Sequence, residues 1–214
     1  MTWTLLAAVA LRVLFVGNSL TTANDLPRQV QQIAAAAGCR LEYRVVALGG
    51  FSLEDHWNDG AARRAIAEGG WSFVVLQQGP SALPESRVLL VEYARRFAAD
   101  ARRVGAEPAL YMVWPSQTRR GDVEGVRQSY EAAAQSTHAL LLPAGEAWRA
   151  AMRADAGVGL YGPDGFHPTA AGSFLAALVI FERMFGLPPP AAFRPPMIPE
   201  RERRILLEAA ERVR

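Results

Sequence analysis

Unbalanced charge, cysteine and long apolar runs are all scarce in this chain, and each scarcity closes a class of function. Lys and Arg number 23 against 21 Asp and Glu, a formal net charge of only +2. The arginines lie mostly in helix-like stretches beside acids or alanines, as in Ala94–Arg103 and Glu200–Arg214. No basic stripe interleaved with aromatics runs through the chain, so nucleic acid is not an expected partner. Cys39 is the single cysteine and cannot form an internal disulfide; it reads as a small residue at a helix end. No Cys and His cluster has zinc spacing, so no metal is expected. No apolar run approaches the ~20 residues that span a bilayer, which argues against stable membrane insertion. The first ten residues, MTWTLLAAVA, are apolar but lack a basic start. They read either as an N-terminal extension of the first strand or as the stub of a signal peptide, leaving exported and cytoplasmic locations both open.

What is present is a regular alternation. At 214 residues, half of them apolar, the chain suits one compact domain with a sizeable core. Five short β-branched runs stand out: Arg12–Val16, Glu42–Ala47, Phe73–Gln77, Ala109–Val113 and Ala139–Leu142. Helical periodicity fills the gaps at Leu26–Ala37, Leu53–Ala67, Ser86–Val104 and Val123–Gln135. Continuous apolar strands alternating with helices predict a five-stranded parallel sheet inside a three-layer α/β/α sandwich. A helix at Gly145–Arg153, a glycine-rich loop at Ala156–Gly165 and a long apolar helix at Thr169–Phe185 follow. Gly186 reads as the cap of that last helix, Leu187–Pro199 as an extended proline-rich surface segment, and Glu200–Arg214 as a terminal helix. No internal repeat or domain boundary interrupts residues 1–214.

Open parallel sheets bind ligands beyond the carboxyl ends of their strands. The first such loop is Gly17-Asn18-Ser19-Leu20-Thr21-Thr22, with a helix expected from about Asp25, capped by Asn24 or Asp25. A hydroxyl on a tight strand-to-helix turn stands exposed beside free backbone amides, the setting a nucleophilic serine requires. The same loop also reads as a phosphate cradle, with Ser19, Thr21 and Thr22 holding a flavin phosphate at a helix start. The loop Tyr161-Gly162-Pro163-Asp164-Gly165-Phe166-His167-Pro168 supplies what a serine nucleophile needs next. A serine is a weak nucleophile until a base takes its proton, and an acid three residues before a histidine can fix the imidazole tautomer.

Two further loops offer hydrogen-bond donors. Gly49-Gly50 after the second strand lets the backbone approach a ligand and expose an amide. Gln77-Gln78 after the third strand offers a neutral side-chain amide, which donates without adding charge. Phe51, His56, Trp57, Trp114 and Phe166 lie in or near these loops; core packing is the plainer reading for the two tryptophans.

Together these blocks resemble the SGNH (GDSL-like) hydrolases. That family carries its serine in a Gly-Asp/Asn-Ser-Leu block after strand one, matched by Gly17–Leu20. It places a glycine after strand two, matched by Gly50, and an Asp-x-x-His near the C-terminus, matched by Asp164–His167. The resemblance covers roughly residues 12–186 and departs at the third block, where Gly-x-Asn is replaced by Gly79-Pro80-Ser81 and a Gln-containing segment precedes it. It implies a serine esterase without metal or organic cofactor. Ser19, His167 and Asp164 would form the triad, and the Ser19 and Gly50 amides with Gln77, or else Gln78, the oxyanion hole. The substrate implied is a small acyl ester, acetyl above others, on a small molecule or carbohydrate. A carbohydrate-binding relative without catalysis is the alternative within the same scaffold.

Overall fold

The computed structural model describes residues 10–214; all but the last residue of the apolar N-terminal stretch lie outside the described residues. Five parallel strands form one sheet in the order β2-β1-β3-β4-β5. They are β1 (Ala10–Gly17), β2 (Arg40–Ala47), β3 (Phe73–Leu76), β4 (Glu107–Tyr111) and β5 (Leu140–Leu142). Side-chain alternation divides each strand between two cores. Val13, Phe15, Phe73, Val75, Ala109 and Tyr111 face one cluster; Leu14, Val16, Val74, Leu76 and Leu110 face the other. Against the first pack α2 (Leu26–Ala36), α7 (Ala144–Ala154), α8 (Ala170–Phe185) and α9 (Glu200–Glu211). Against the second pack α3 (Leu53–Asp59), α4 (Ala61–Ala67), α5 (Pro84–Arg103) and α6 (Val123–Thr137). The expected three-layer sandwich is thus the observed architecture.

The local departures have plain causes. The single helix expected over Leu53–Ala67 is broken at Gly60, whose φ of +82° ends α3 before α4 begins. A four-residue helix, α1 (Ser19–Thr22), starts directly after β1 and is capped by the Asn18 side chain, which accepts the Leu20 amide at 3.1 Å. Neither Asn24 nor Asp25 caps α2 through its side chain; both instead occupy the left-handed region, at φ 52° and 54°. Gly186 ends α8 with φ 66°, as expected. In α9, Leu206, Ala209 and Ala210 are buried, so the terminal helix docks by its apolar face.

The chain leaves β1 toward β2 on one side, then returns past it to β3 on the other. The carboxyl ends of β1 and β3 therefore flank the point where strand order reverses, where open α/β sheets form their ligand crevice.

Candidate active site

Ser19 is the first residue of α1, half-buried at that crevice. His167 reaches it from the far end of the chain: its Nε2 lies 2.9 Å from Ser19 Oγ. On the other side of the ring, Nδ1 lies 2.5 Å from Asp164 Oδ2. The second carboxylate oxygen of Asp164 accepts the backbone amides of Phe166 (3.0 Å) and His167 (2.9 Å), which fixes the turn between acid and imidazole. The hydrogen bond to His167, with these amides in support, holds the Asp164 carboxyl down at about 2. An ionised Asp164 favours the tautomer with the proton on Nδ1 and leaves Nε2 free to accept from Ser19.

This loop is tied down on several sides. Gly162 donates to the His167 carbonyl at 2.7 Å, and Tyr161 pairs with Pro168 in an isolated antiparallel bridge. Gln117 donates to the Gly165 carbonyl at 2.7 Å. Trp114 is 1% exposed, lies face to face on Trp148 with centroids 3.5 Å apart, and donates its Nε1–H to the Phe166 carbonyl at 3.1 Å. It is a core residue that also holds the loop. Tyr161 donates its hydroxyl to the Pro115 carbonyl at 2.8 Å. Trp57, by contrast, packs edge-on against Phe97, on the α5 side of the sheet.

Sequence reasoning missed Asn24 as a link. Its Nδ2 lies within hydrogen-bond reach of the Pro168 carbonyl (3.0 Å), the Thr169 carbonyl (3.1 Å) and Ser173 Oγ (2.9 Å). It thereby joins the segment after Ser19 directly to the segment after His167. His56 is also structural: fully buried, it places Nε2 2.7 Å from the Gly17 carbonyl beneath the serine turn, and burial pushes its pKa down.

The oxyanion assignment divides. Gly50 is exposed at φ +77°, and its amide, like that of Ser19, donates to no acceptor among the described residues. Both are available to a ligand. Gln77 is a correction to the sequence reading. Its side chain has no exposed surface, so it does not reach a substrate. Its Oε1 accepts the Asn18 amide at 2.9 Å and the Thr21 hydroxyl at 2.7 Å, while its Nε2 donates to the Gln78 carbonyl at 2.6 Å. Gln77 is a brace under the serine turn. Gln78 is engaged as well: Oε1 accepts the Leu53 amide at 3.0 Å and Nε2 donates to Ser81 Oγ at 2.7 Å. The inward turn of Thr21 also removes a hydroxyl from the phosphate cradle considered above. A Cβ on Gly17 would collide with both Thr21 Oγ1 and Gln77 Oε1, so the network requires glycine there.

Beside the pair, the Phe166 ring stands edge to face with the His167 imidazole, centroids 5.5 Å apart. Phe166 also lines a recess of about 280 Å³ with Ser81, Leu83, Ser116 and Arg119. No group of three or more metal-ligating side chains occurs among the described residues, and none of their helices is long and apolar enough to cross a membrane.

No protein-family model and no curated protein matches the sequence. Solved structures do. A protein from Slackia heliotrinireducens assigned to the SGNH hydrolases is 32% identical, with a TM-score of 0.71, covering 82% of this chain and 99% of its own. A DUF4886 family protein from Bacteroides uniformis superposes with a TM-score of 0.83 at 18% identity, covering 95% of this chain and 94% of its own. Axe2, an acetylxylan esterase from Geobacillus stearothermophilus, shares the fold at a TM-score of 0.64 and 14% identity over 83% of this chain and 95% of its own. With a relative of that identity and coverage, the chain belongs to the SGNH hydrolases.

Proposed function

We propose that this hydrolase is a serine esterase that removes a small acyl group, acetyl above others, from a small-molecule or carbohydrate alcohol. The observation that carries the reading is the chain of contacts from Asp164 through His167 to Ser19 Oγ, at 2.5 and 2.9 Å. In this reading Ser19 Oγ attacks the ester carbonyl as its proton passes to His167 Nε2. The tetrahedral oxyanion is held by the Ser19 and Gly50 amides, with no side-chain donor assigned. His167 then protonates the departing alcohol oxygen. Water, deprotonated by the same nitrogen, cleaves the acyl-enzyme and frees the acid. Asp164 stays ionised throughout and stabilises the imidazolium. The recess beside Phe166, at about 280 Å³, is near the lower end of the ~300–1,000 Å³ usual for ligand sites, which suits a short acyl group better than a long chain. Its hydroxyls suit a polar alcohol.

The test is labelling with a fluorophosphonate followed by digestion and mass spectrometry. The adduct is expected on Ser19, and His167→Ala should label at least a hundred times more slowly, within the two to four decades a positioned base contributes. An adduct on Ser52 or Ser81, or none at all, overturns the mechanism. A folded, unlabelled protein that still binds a saccharide would favour the non-catalytic alternative.

A further inference from the structure

A second recess opens beyond the ends of β4 and β5. It measures about 260 Å³ and brings together Arg120, Arg149 and Arg153 with the rings of Trp114 and Tyr161. Arg149 and Arg153 stand one turn apart on α7, and like charges at that spacing destabilise a helix when nothing lies between them. The neighbouring acids neutralise only one of the three. Arg149 lies 3.4 Å from Glu146 and 3.9 Å from Glu124, and Glu124 is held at 2.5 Å by Arg127 as well. Arg120 and Arg153 pair with no carboxylate among the described residues. Arg120 instead lies over the Tyr161 ring, 5.4 Å from its centroid.

We propose that this recess binds an oxyanion, a carboxylate or phosphate on a small molecule, between the Arg120 and Arg153 guanidinium groups. Planar guanidinium forks match the paired oxygens of such groups and form their strongest hydrogen bonds with them. Aromatic walls keep the local dielectric below that of water and so strengthen the attraction. The anion has two possible sources. It is either a free ion or an acidic substituent on the ester's own alcohol half. The second source is suggested by the recess adjoining the one beside Phe166, with Pro115 lining both. The binding claim itself does not depend on the esterase reading.

The full chain is titrated at low ionic strength with inorganic phosphate, glucuronate and, as a neutral control, glucose. Tryptophan fluorescence reports the recess through Trp114, and thermal melting gives an independent readout. Saturable binding of one or both anions is expected, with glucose silent. In the double variant Arg120→Ala/Arg153→Ala, both positions being exposed, the dissociation constant should rise at least about tenfold, as for one lost charge-assisted contact. If the anion belongs to the substrate, phosphate inhibits hydrolysis of an acetylated uronic acid competitively and leaves p-nitrophenyl acetate untouched. If it is a separate ligand, phosphate binds without competing against either ester. A response that never saturates, or one that the double variant reproduces, is ionic screening and overturns the proposal. Absence of esterase activity alongside saturable anion binding would sink the function proposed above and leave this one standing.

Discussion

Replacing Gln77 separates two roles that the same residue type can fill at this position. The structure makes the side chain a brace: its removal strands the buried Asn18 amide and the Thr21 hydroxyl, whereas the Gln78 carbonyl keeps the Tyr130 hydroxyl at 2.8 Å. Each unsatisfied buried group costs about 1–3 kcal/mol, so with two of them Gln77→Ala should lose roughly 2–6 kcal/mol of stability. That is a large share of the ~5–15 kcal/mol that holds a domain of this kind together. Urea unfolding of wild type and variant, followed by circular dichroism, measures it as a shift in midpoint at constant slope. A cycle with Thr21→Val should be strongly non-additive, because the two side chains share one hydrogen bond. An oxyanion donor gives the opposite pattern. Stability would hold within about 1 kcal/mol while kcat on a short aryl ester fell two to three decades, the usual cost of a lost donor. That pattern would refute the brace.

Two other perturbations test parts of the fold that the site depends on. Asn24→Asp turns an oxygen toward the Pro168 and Thr169 carbonyls; kcat should fall about 10- to 100-fold with KM little changed, as expected when a base is displaced by an ångström or less. Equal kcat in variant and wild type would show that the link does not position His167. Glu182 in α8 is 2% exposed, has an unpartnered Oε2, and is pushed by burial from 4.5 to about 7. Between those values the folded chain holds a proton that the unfolded chain releases, so stability should fall as pH rises through that window, by up to roughly 3 kcal/mol. Tm followed from pH 4.5 to 7.5 should show this decline in wild type and a flatter profile in Glu182→Gln; parallel profiles would refute the assignment.

The sheet was readable because the central strands carry apolar residues on both faces, and only a strand buried twice needs that; the edge strand β2 alternates charged Arg40, Glu42 and Arg44 with apolar Leu41, Tyr43 and Val45. Asp164 and His167 could be paired from sequence because they sit three residues apart on one loop; that the structure brings Ser19 to them across 148 residues is a matter of the fold. Gln77 was misread for a physical reason. Its type and its place at a strand end suit a donor, but which way its amide points depends on β3 ending at Leu76 and on Gly17 leaving room beneath the turn. Asn24 was considered only as a helix cap, since local sequence carries no trace of a partner 144 residues away. The break at Gly60 lay inside an unbroken helical period, and only the sign of its φ reveals it. The arginine recess likewise draws on three separate loops and helices that composition scatters evenly.

Ser19 and His167 stand 148 residues apart in the chain. At translation rates of ~5–20 residues per second, about 7–30 s separate the two on the ribosome. For all of that interval the serine exists without the imidazole that would activate it. No fragment that ends before His167 holds both groups, so under the proposed mechanism chains truncated or stalled short of it carry an inert hydroxyl. If the proposed mechanism holds, chemical competence at this site is therefore a late property of synthesis, acquired only after the segment carrying His167 has emerged and folded.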